Sequence, residues 1–150
     1  MKAISLRQPW AWLVAEGYKP IEFRWRSDKF RGECYIHASK TFDDYGYQWL
    51  IEHPELPGVE KIIKMMWCPK VDADFGAIIG KMTVVDCLPV EQACLYYPNE
   101  MWLTVCRRRL GDKAFIIQNP VHFLRHNYIP CKGKIVPLFF EPEVLEVSHE

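Results

Sequence analysis

The sequence predicts an α+β fold, a β-barrel with flanking helices rather than a layered α/β sheet. Three observations lead there. Strand-like segments outnumber helical ones, their spacing is uneven, and no regular alternation of strand and helix runs along the chain. The longest of them, Phe75 to Pro89, is rich in β-branched residues and reads as one long strand, or two joined by a bend at Gly80, at the centre of the sheet.

Met1 to Leu6 opens the chain as a short strand. Pro9 then stands where a helix starts, because proline at the first helical position gives up no needed hydrogen bond. Trp10, Leu13 and Val14 fall on one helical face, and Gly17 suits the left-handed residue that ends such a helix. Trp10 and Trp12 are too close in sequence for both to face a core from one helix, so one of them is expected to be partly exposed. From Ile21 to Arg26 the residues alternate, with Ile21, Phe23 and Trp25 on one side and Glu22, Arg24 and Arg26 on the other. That describes a strand with one buried and one polar face. Glu33 to Ala38 is a second strand, reached through Gly32; Phe42 to His53 and Val59 to Met66 read as helices separated by Pro54 and Pro57. Beyond the central strand, Glu91 to Tyr97 is a helical turn after Pro89. Phe115 to Ile117 is a strand that stops at Asn119-Pro120, and Ile135 to Phe140 is a closing strand that Pro137 confines to an edge or a bulge.

Hydrophobic residues make up 49% of the chain and aromatic residues 14%, enough for a packed core and too many for a disordered segment. At 150 residues, without repeats or a Gly/Ser linker, one domain spanning 1–150 is expected, with a helical insertion around 42–74. Lys and Arg total 19, as do Asp and Glu, so the molecule as a whole has no attraction for a polyanion. Any nucleic-acid contact must be a local patch. Lys19, Arg24, Arg26, Lys29 and Arg31 form one candidate and Arg107-Arg108-Arg109 another, each with a solvated surface as the plain alternative.

The six cysteines are scattered and no two have C-x-x-C spacing; Cys34 with His37, and His122 with His126, fall short of a ligand set. No metal and no other cofactor is expected. With no secretory signal pattern after Met1 and no apolar run of spanning length, the expected setting is the cytoplasm, without membrane attachment and with reduced thiols.

Two N-terminal motifs carry the functional signal: Arg7-Gln8-Pro9-Trp10-Ala11, and Gly17-Tyr18-Lys19-Pro20-Ile21-Glu22-Phe23-Arg24. Their pairing resembles the ASCH domain family, whose members open with a strand and a Q-P-W-A-like helix start followed by G-x-K-x-x-E-x-R. The resemblance extends more weakly through Gly80-Lys81 to Asp86, Phe115 to Pro120, and Lys132-Gly133-Lys134 to Phe139. It implies a PUA-like mixed β-barrel in which the G-x-K-x-x-E-x-R segment faces RNA or a nucleoside. One branch of the family hydrolyses the acetyl amide of N4-acetylcytidine, using a lysine, a threonine three positions later and a glutamate from a later strand. Here Glu22 stands at the threonine position and Asp86 is the nearest candidate for the later acid.

The residue chemistry agrees with a binding role. Lys19 is expected at the mouth of a strand, where a flexible ammonium reaches phosphate or carbonyl oxygens. Glu22, beside Arg24 and Arg26, stays ionised and either accepts hydrogen bonds from a base edge or orients Arg24 toward a phosphate. The plain alternative for Glu22 and Arg24 is a surface ion pair, which contributes only about 0–1 kcal/mol. Arg7 and Gln8 point at the same cleft, unless Gln8 caps the helix; Trp10 either stacks on a base or packs in the core. The expected function is RNA or nucleoside binding through Arg7, Gln8, Trp10, Lys19, Glu22, Arg24 and Arg26. Two alternatives stand beside it. One is an amidohydrolase using Lys19, Glu22 and Asp86; the other is a protein-interaction module using Tyr45, Trp49 and Trp67.

Overall fold

The computed structural model describes residues 1–65, 74–106 and 112–143. Among them the first strand, β1 (Ala3–Gln8), leads into helix α1 (Trp10–Ala15), and β2 (Ile21–Arg24) precedes the long strand β3 (Gly32–Phe42). Helices α2 (Asp44–Ile51) and α3 (Val59–Lys64) come before β4 (Ala77–Pro89), followed by α4 (Val90–Tyr96), α5 (Met101–Val105) and β5 (Lys113–His122). A 3-10 turn at Arg125–Asn127 and two short strands, β6 (Ile129–Pro130) and β7 (Phe139–Phe140), complete the described chain. The sheet runs β2-β5-β4-β3-β1-β7, with β6 beside β4, so the long strand is indeed central. The β1–β3 pair is parallel and the other pairs are antiparallel.

The sheet curls. β2 and β1 lie far apart in strand order, yet the Arg24 guanidinium donates from Nη2 to the Ser5 carbonyl at 2.6 Å. β7 pairs only with Ala3 and Ile4, so it stops short of Ser5 and leaves this carbonyl for Arg24 to reach across the opening. Inside the curl one core forms from Ile4, Leu6, Cys34, Ile36, Met82, Val84, Phe115 and Phe139. A second core lies between the helices and the sheet, built from Trp12, Leu13, Ile21, Leu50, Ile62, Trp102 and Ile116.

Helix α1 lies between these cores, which corrects the expectation for its tryptophans. Trp10, Trp12 and Leu13 pack into the helical core while Ala11, Val14 and Ala15 pack into the barrel core, so Trp10 and Trp12 are both buried. A helix covered on all sides has no solvent face for either ring to occupy. Gly17 ends it at φ +83°, and the amides of Tyr18 and Lys19 both turn back to the Leu13 carbonyl.

Other boundaries moved. β2 ends at Arg24, opposite Lys113 where β5 begins, and Trp25 beyond it is 71% exposed rather than on a buried face. β5 continues through Asn119-Pro120 instead of stopping there. Gln118 faces Thr83 and Val121 faces Lys81, so three steps of β5 span two of β4. This bulge accommodates Asn119 at φ +53° and a proline that has no N–H to donate. The closing strand is shorter than expected, because only Phe139–Phe140 pairs with a strand among the described residues, and Ile135 and Val136 are exposed. Gly80 is required by close approach: a Cβ there would run into the Val121 carbonyl oxygen of β5. Within the expected 42–74 insertion, α2 and α3 are formed as read, whereas Met66, Trp67 and Cys68 lie outside the described residues, as does Arg107-Arg108-Arg109.

Candidate functional site

A cavity of about 380 Å³ opens where the two ends of the sheet meet. Strand alternation explains its walls. On β1, Ile4 and Leu6 face the barrel core, so Ser5 and Arg7 face the cavity. On β2, Glu22 and Arg24 line it from the opposite side, and Ser39 and Thr41 of β3, with Ile135, complete the rim.

Lys19 forms the floor, not the mouth. The residue is only 1% exposed, its Nζ donates to the Ile21 carbonyl at 2.6 Å and sits 3.7 Å from Glu22 Oε1. Three aromatic faces surround the ammonium, with ring centroids at 5.3 Å (Trp10), 5.2 Å (Phe23) and 5.8 Å (Trp102). Ring quadrupoles attract a cation, and more strongly once water is removed, so the cage partly replaces the lost hydration. Glu22 is 7% exposed and holds the other cation too, accepting from Arg24 Nη2 at 3.0 Å and Nε at 3.2 Å. The expected surface ion pair is therefore a largely buried triad, because the polar face of β2 points into the curl of the sheet and not into solvent. Across the cavity, Asp43 caps α2 by accepting from the Gly46 amide, accepts from Trp10 Nε1 at 2.8 Å, and lies 3.5 Å from Arg7 Nη2.

Lys19, Glu22, Arg24, Arg7 and Trp10 thus come together around one cavity. Gln8, Arg26 and Asp86 do not. Gln8 is fully buried: its Oε1 accepts from the Trp12 amide and its Nε2 donates to the Asp74 carbonyl, so it ties down the first turn of α1 from the position before the N-cap, which is Pro9 and not Gln8. Arg26 lies beyond the end of β2 and stacks on the exposed Trp25 ring at 4.9 Å. Asp86 is on the far part of β4, bonded to the Cys87 amide and 3.6 Å from Arg31, away from Lys19. Lys29 and Arg31 border a different concavity, so the N-terminal basic cluster is split. Of the interaction candidates, Tyr45 is 92% exposed and Trp49 is stacked on His53 at 4.1 Å. Ser5, Phe23, Ser39, Thr41, Asp43 and Ile135 are lining residues that sequence reasoning did not single out. Of these, only Ser5 and Asp43 had a local signal, the first as the strand neighbour two before Arg7, the second as an acidic residue before a helix.

Cys34 and His37 supply no nucleophile pair. They alternate on β3 to opposite faces, and burial, with the Glu33 charge adding to it, pushes the Cys34 thiol up to about 12. His37 donates from Nε2 to the Cys131 carbonyl at 2.7 Å, which leaves Nδ1 to accept from Ser5 Oγ at 2.9 Å. Burial holds its pKa below the ordinary value, outweighing the opposing bond to Cys131. As pH falls below about 6.5 the unfolded chain therefore takes up a proton that folded His37 resists, and stability is lost on the acid side. Urea midpoints measured between about pH 7.5 and pH 5 are expected to fall less steeply in His37→Gln than in the wild type. Equal slopes would mean that His37 does not titrate differently in the two states.

Comparison with solved structures finds the crystal structure of ASCH from Zymomonas mobilis, with 14% identity, a TM-score of 0.46 and coverage of 88% of this chain and 83% of that one. A tyrosine-to-phenylalanine mutant of that protein gives 14% and 0.47, covering 88% and 86%. A serine-to-alanine mutant gives 15% and 0.45, covering 86% and 82%. A search of curated protein sequences finds no significant match. The sequence model of the ASCH domain matches residues 4–141, a stretch containing both N-terminal motifs, every strand but the first residue of β1, and the whole cavity lining. This chain therefore belongs to the ASCH domain family, with its PUA-like α+β fold.

Proposed function

We propose that this chain binds RNA or a modified nucleoside, with one base held in the cavity between β1, β2 and β3. The observation that carries the reading is Glu22. A carboxylate withdrawn from water, beside the Arg24 guanidinium and next to the Trp10 and Phe23 rings, lines a cavity of about 380 Å³. That volume is within the ordinary range for small-molecule sites. An acceptor and a planar donor side by side suit the hydrogen-bonding edge of a base. Membership of a family of nucleic-acid-binding type supports the same reading.

The test is a titration of single-stranded RNA and of the common ribonucleosides together with N4-acetylcytidine. Arg24→Ala is expected to weaken binding by about tenfold, the effect of losing one charge-assisted contact, whereas Arg26→Ala, outside the cavity, leaves it unchanged. RNA affinity should also fall with added salt as counterions are released. Equal behaviour of the two arginine variants would remove the cavity from the account.

Hydrolysis of the acetyl amide is the second reading, favoured by the 3.7 Å approach of Lys19 to Glu22. With Asp86 elsewhere, Glu22 would be its acid/base partner. Loss of the acetyl mass from N4-acetylcytidine, abolished in Lys19→Ala, would establish turnover; an unchanged mass at high protein concentration would exclude it.

A further inference from the structure

A second cleft of about 390 Å³ adjoins the base cavity and shares Ser5, Ser39 and Ile135 with it. Its chemistry is different. The base cavity contains two carboxylates, Glu22 and Asp43, whereas the described residues that line the second cleft include none and do include Lys40, Lys132 and Lys134. All three lysines are exposed, and none forms an ion pair with another described residue. In a chain of zero net charge whose cations at the base cavity are tied to carboxylates, these three ammonium groups, with no ion pair among the described residues, outnumber the one acid, Glu143, whose charge acts on the lining residue Cys131.

The loop carrying two of them is held in place by close packing. A Cβ on Gly133 would lie 2.5 Å from Ser5 Oγ and 2.7 Å from His37 Cε1, so only glycine lets this loop settle against β1 and β3. Gly76, at φ +69°, similarly lies under the Lys40 stem, where a Cβ would be 3.2 Å from Cε. The two glycines bring the lysine-bearing segments against the same floor. Ser5 and Ser39 add neutral hydroxyls along the boundary with the base cavity.

We infer that the second cleft is a phosphate subsite, and that the ligand of the base cavity carries a phosphate, as a nucleotide or as part of an RNA strand, rather than being a free nucleoside. Three ammonium donors, with no carboxylate among the described lining residues, match a phosphate's charge and acceptor oxygens, and the shared boundary puts that phosphate next to a base in the adjoining cavity. The inference rests on the base-binding reading above and deepens it.

The experiment compares the four common ribonucleosides and N4-acetylcytidine with their 5′- and 3′-monophosphates and with a mixed-sequence oligoribonucleotide. Wild-type protein is titrated beside the triple variant Lys40→Gln, Lys132→Gln, Lys134→Gln, whose exposed side chains leave folding intact. A phosphate is expected to improve affinity by about tenfold at low salt, and the triple variant to lose that gain while binding nucleosides as the wild type does. A gain with the monophosphates assigns a mononucleotide ligand; a gain confined to the oligoribonucleotide assigns a diester of an RNA strand. If the phosphate adds nothing, or its gain survives in the triple variant, the subsite is overturned while nucleoside binding still supports the base cavity. If nucleosides fail to bind but the lysine-dependent gain persists, the base cavity falls and the phosphate site stands.

Discussion

Glu22→Gln is expected to lower the unfolding free energy by about 3 kcal/mol or more, because it removes the carboxylate that offsets an ammonium held in the interior. Lys19 has almost no access to solvent, and the substituted amide cannot neutralise its ammonium. Arg24 loses the same carboxylate but is half-buried at the rim, so most of the cost falls on Lys19. The double variant Lys19→Met, Glu22→Gln should recover much of the loss, since a flexible thioether packs well among the Trp10, Phe23 and Trp102 rings and no ammonium remains inside the cage. Urea unfolding with matched slopes measures both differences. A single-variant loss below about 1 kcal/mol would place the pair in the weak, solvent-screened class and contradict its burial.

Trp102→Ala is expected to cost about 3–5 kcal/mol, the range for truncating a large buried aromatic side chain. Trp102 is fully buried in the helical core, meets Trp10 edge-on at 6.5 Å, and donates from Nε1 to the Tyr18 carbonyl at 2.7 Å. Its loss would remove one wall of the Lys19 cage and leave that carbonyl without its indole donor. Trp102→Phe separates the two contributions, keeping a ring while deleting the N–H, and should cost less, about 1–3 kcal/mol. If the phenylalanine variant were as stable as the wild type, the bond to Tyr18 would carry no weight in positioning the segment that leads to Lys19.

Both predictions concern residues whose importance reads differently in sequence and in structure. The segment from Gly17 to Arg24 announces itself: a helix-ending glycine, a lysine just ahead of a strand, and Glu22 and Arg24 two apart on one strand face. Local rules of backbone conformation and side-chain alternation are enough to place these three side chains near each other. Trp102, by contrast, is one aromatic residue in a weakly patterned stretch. Only the packing of α5 against α1 and the Tyr18 backbone reveals that it walls the ammonium.

From the sequence alone came the α+β class and the central place of the long strand, read from the run of segments along the chain, and the left-handed end of α1 and the grouping of Lys19 with Glu22 and Arg24, which follow from periodicity and turn chemistry within a dozen residues or so. Tertiary structure alone decided which face is buried and which residues share the cavity. The curl of the sheet carries the polar side of β2 inward against β1, and it gathers Ser5, Ser39, Thr41, Asp43 and Ile135 from strands and loops far apart along the chain. Burial and long-range proximity depend on how elements close on one another, so no local pattern in the sequence encodes them.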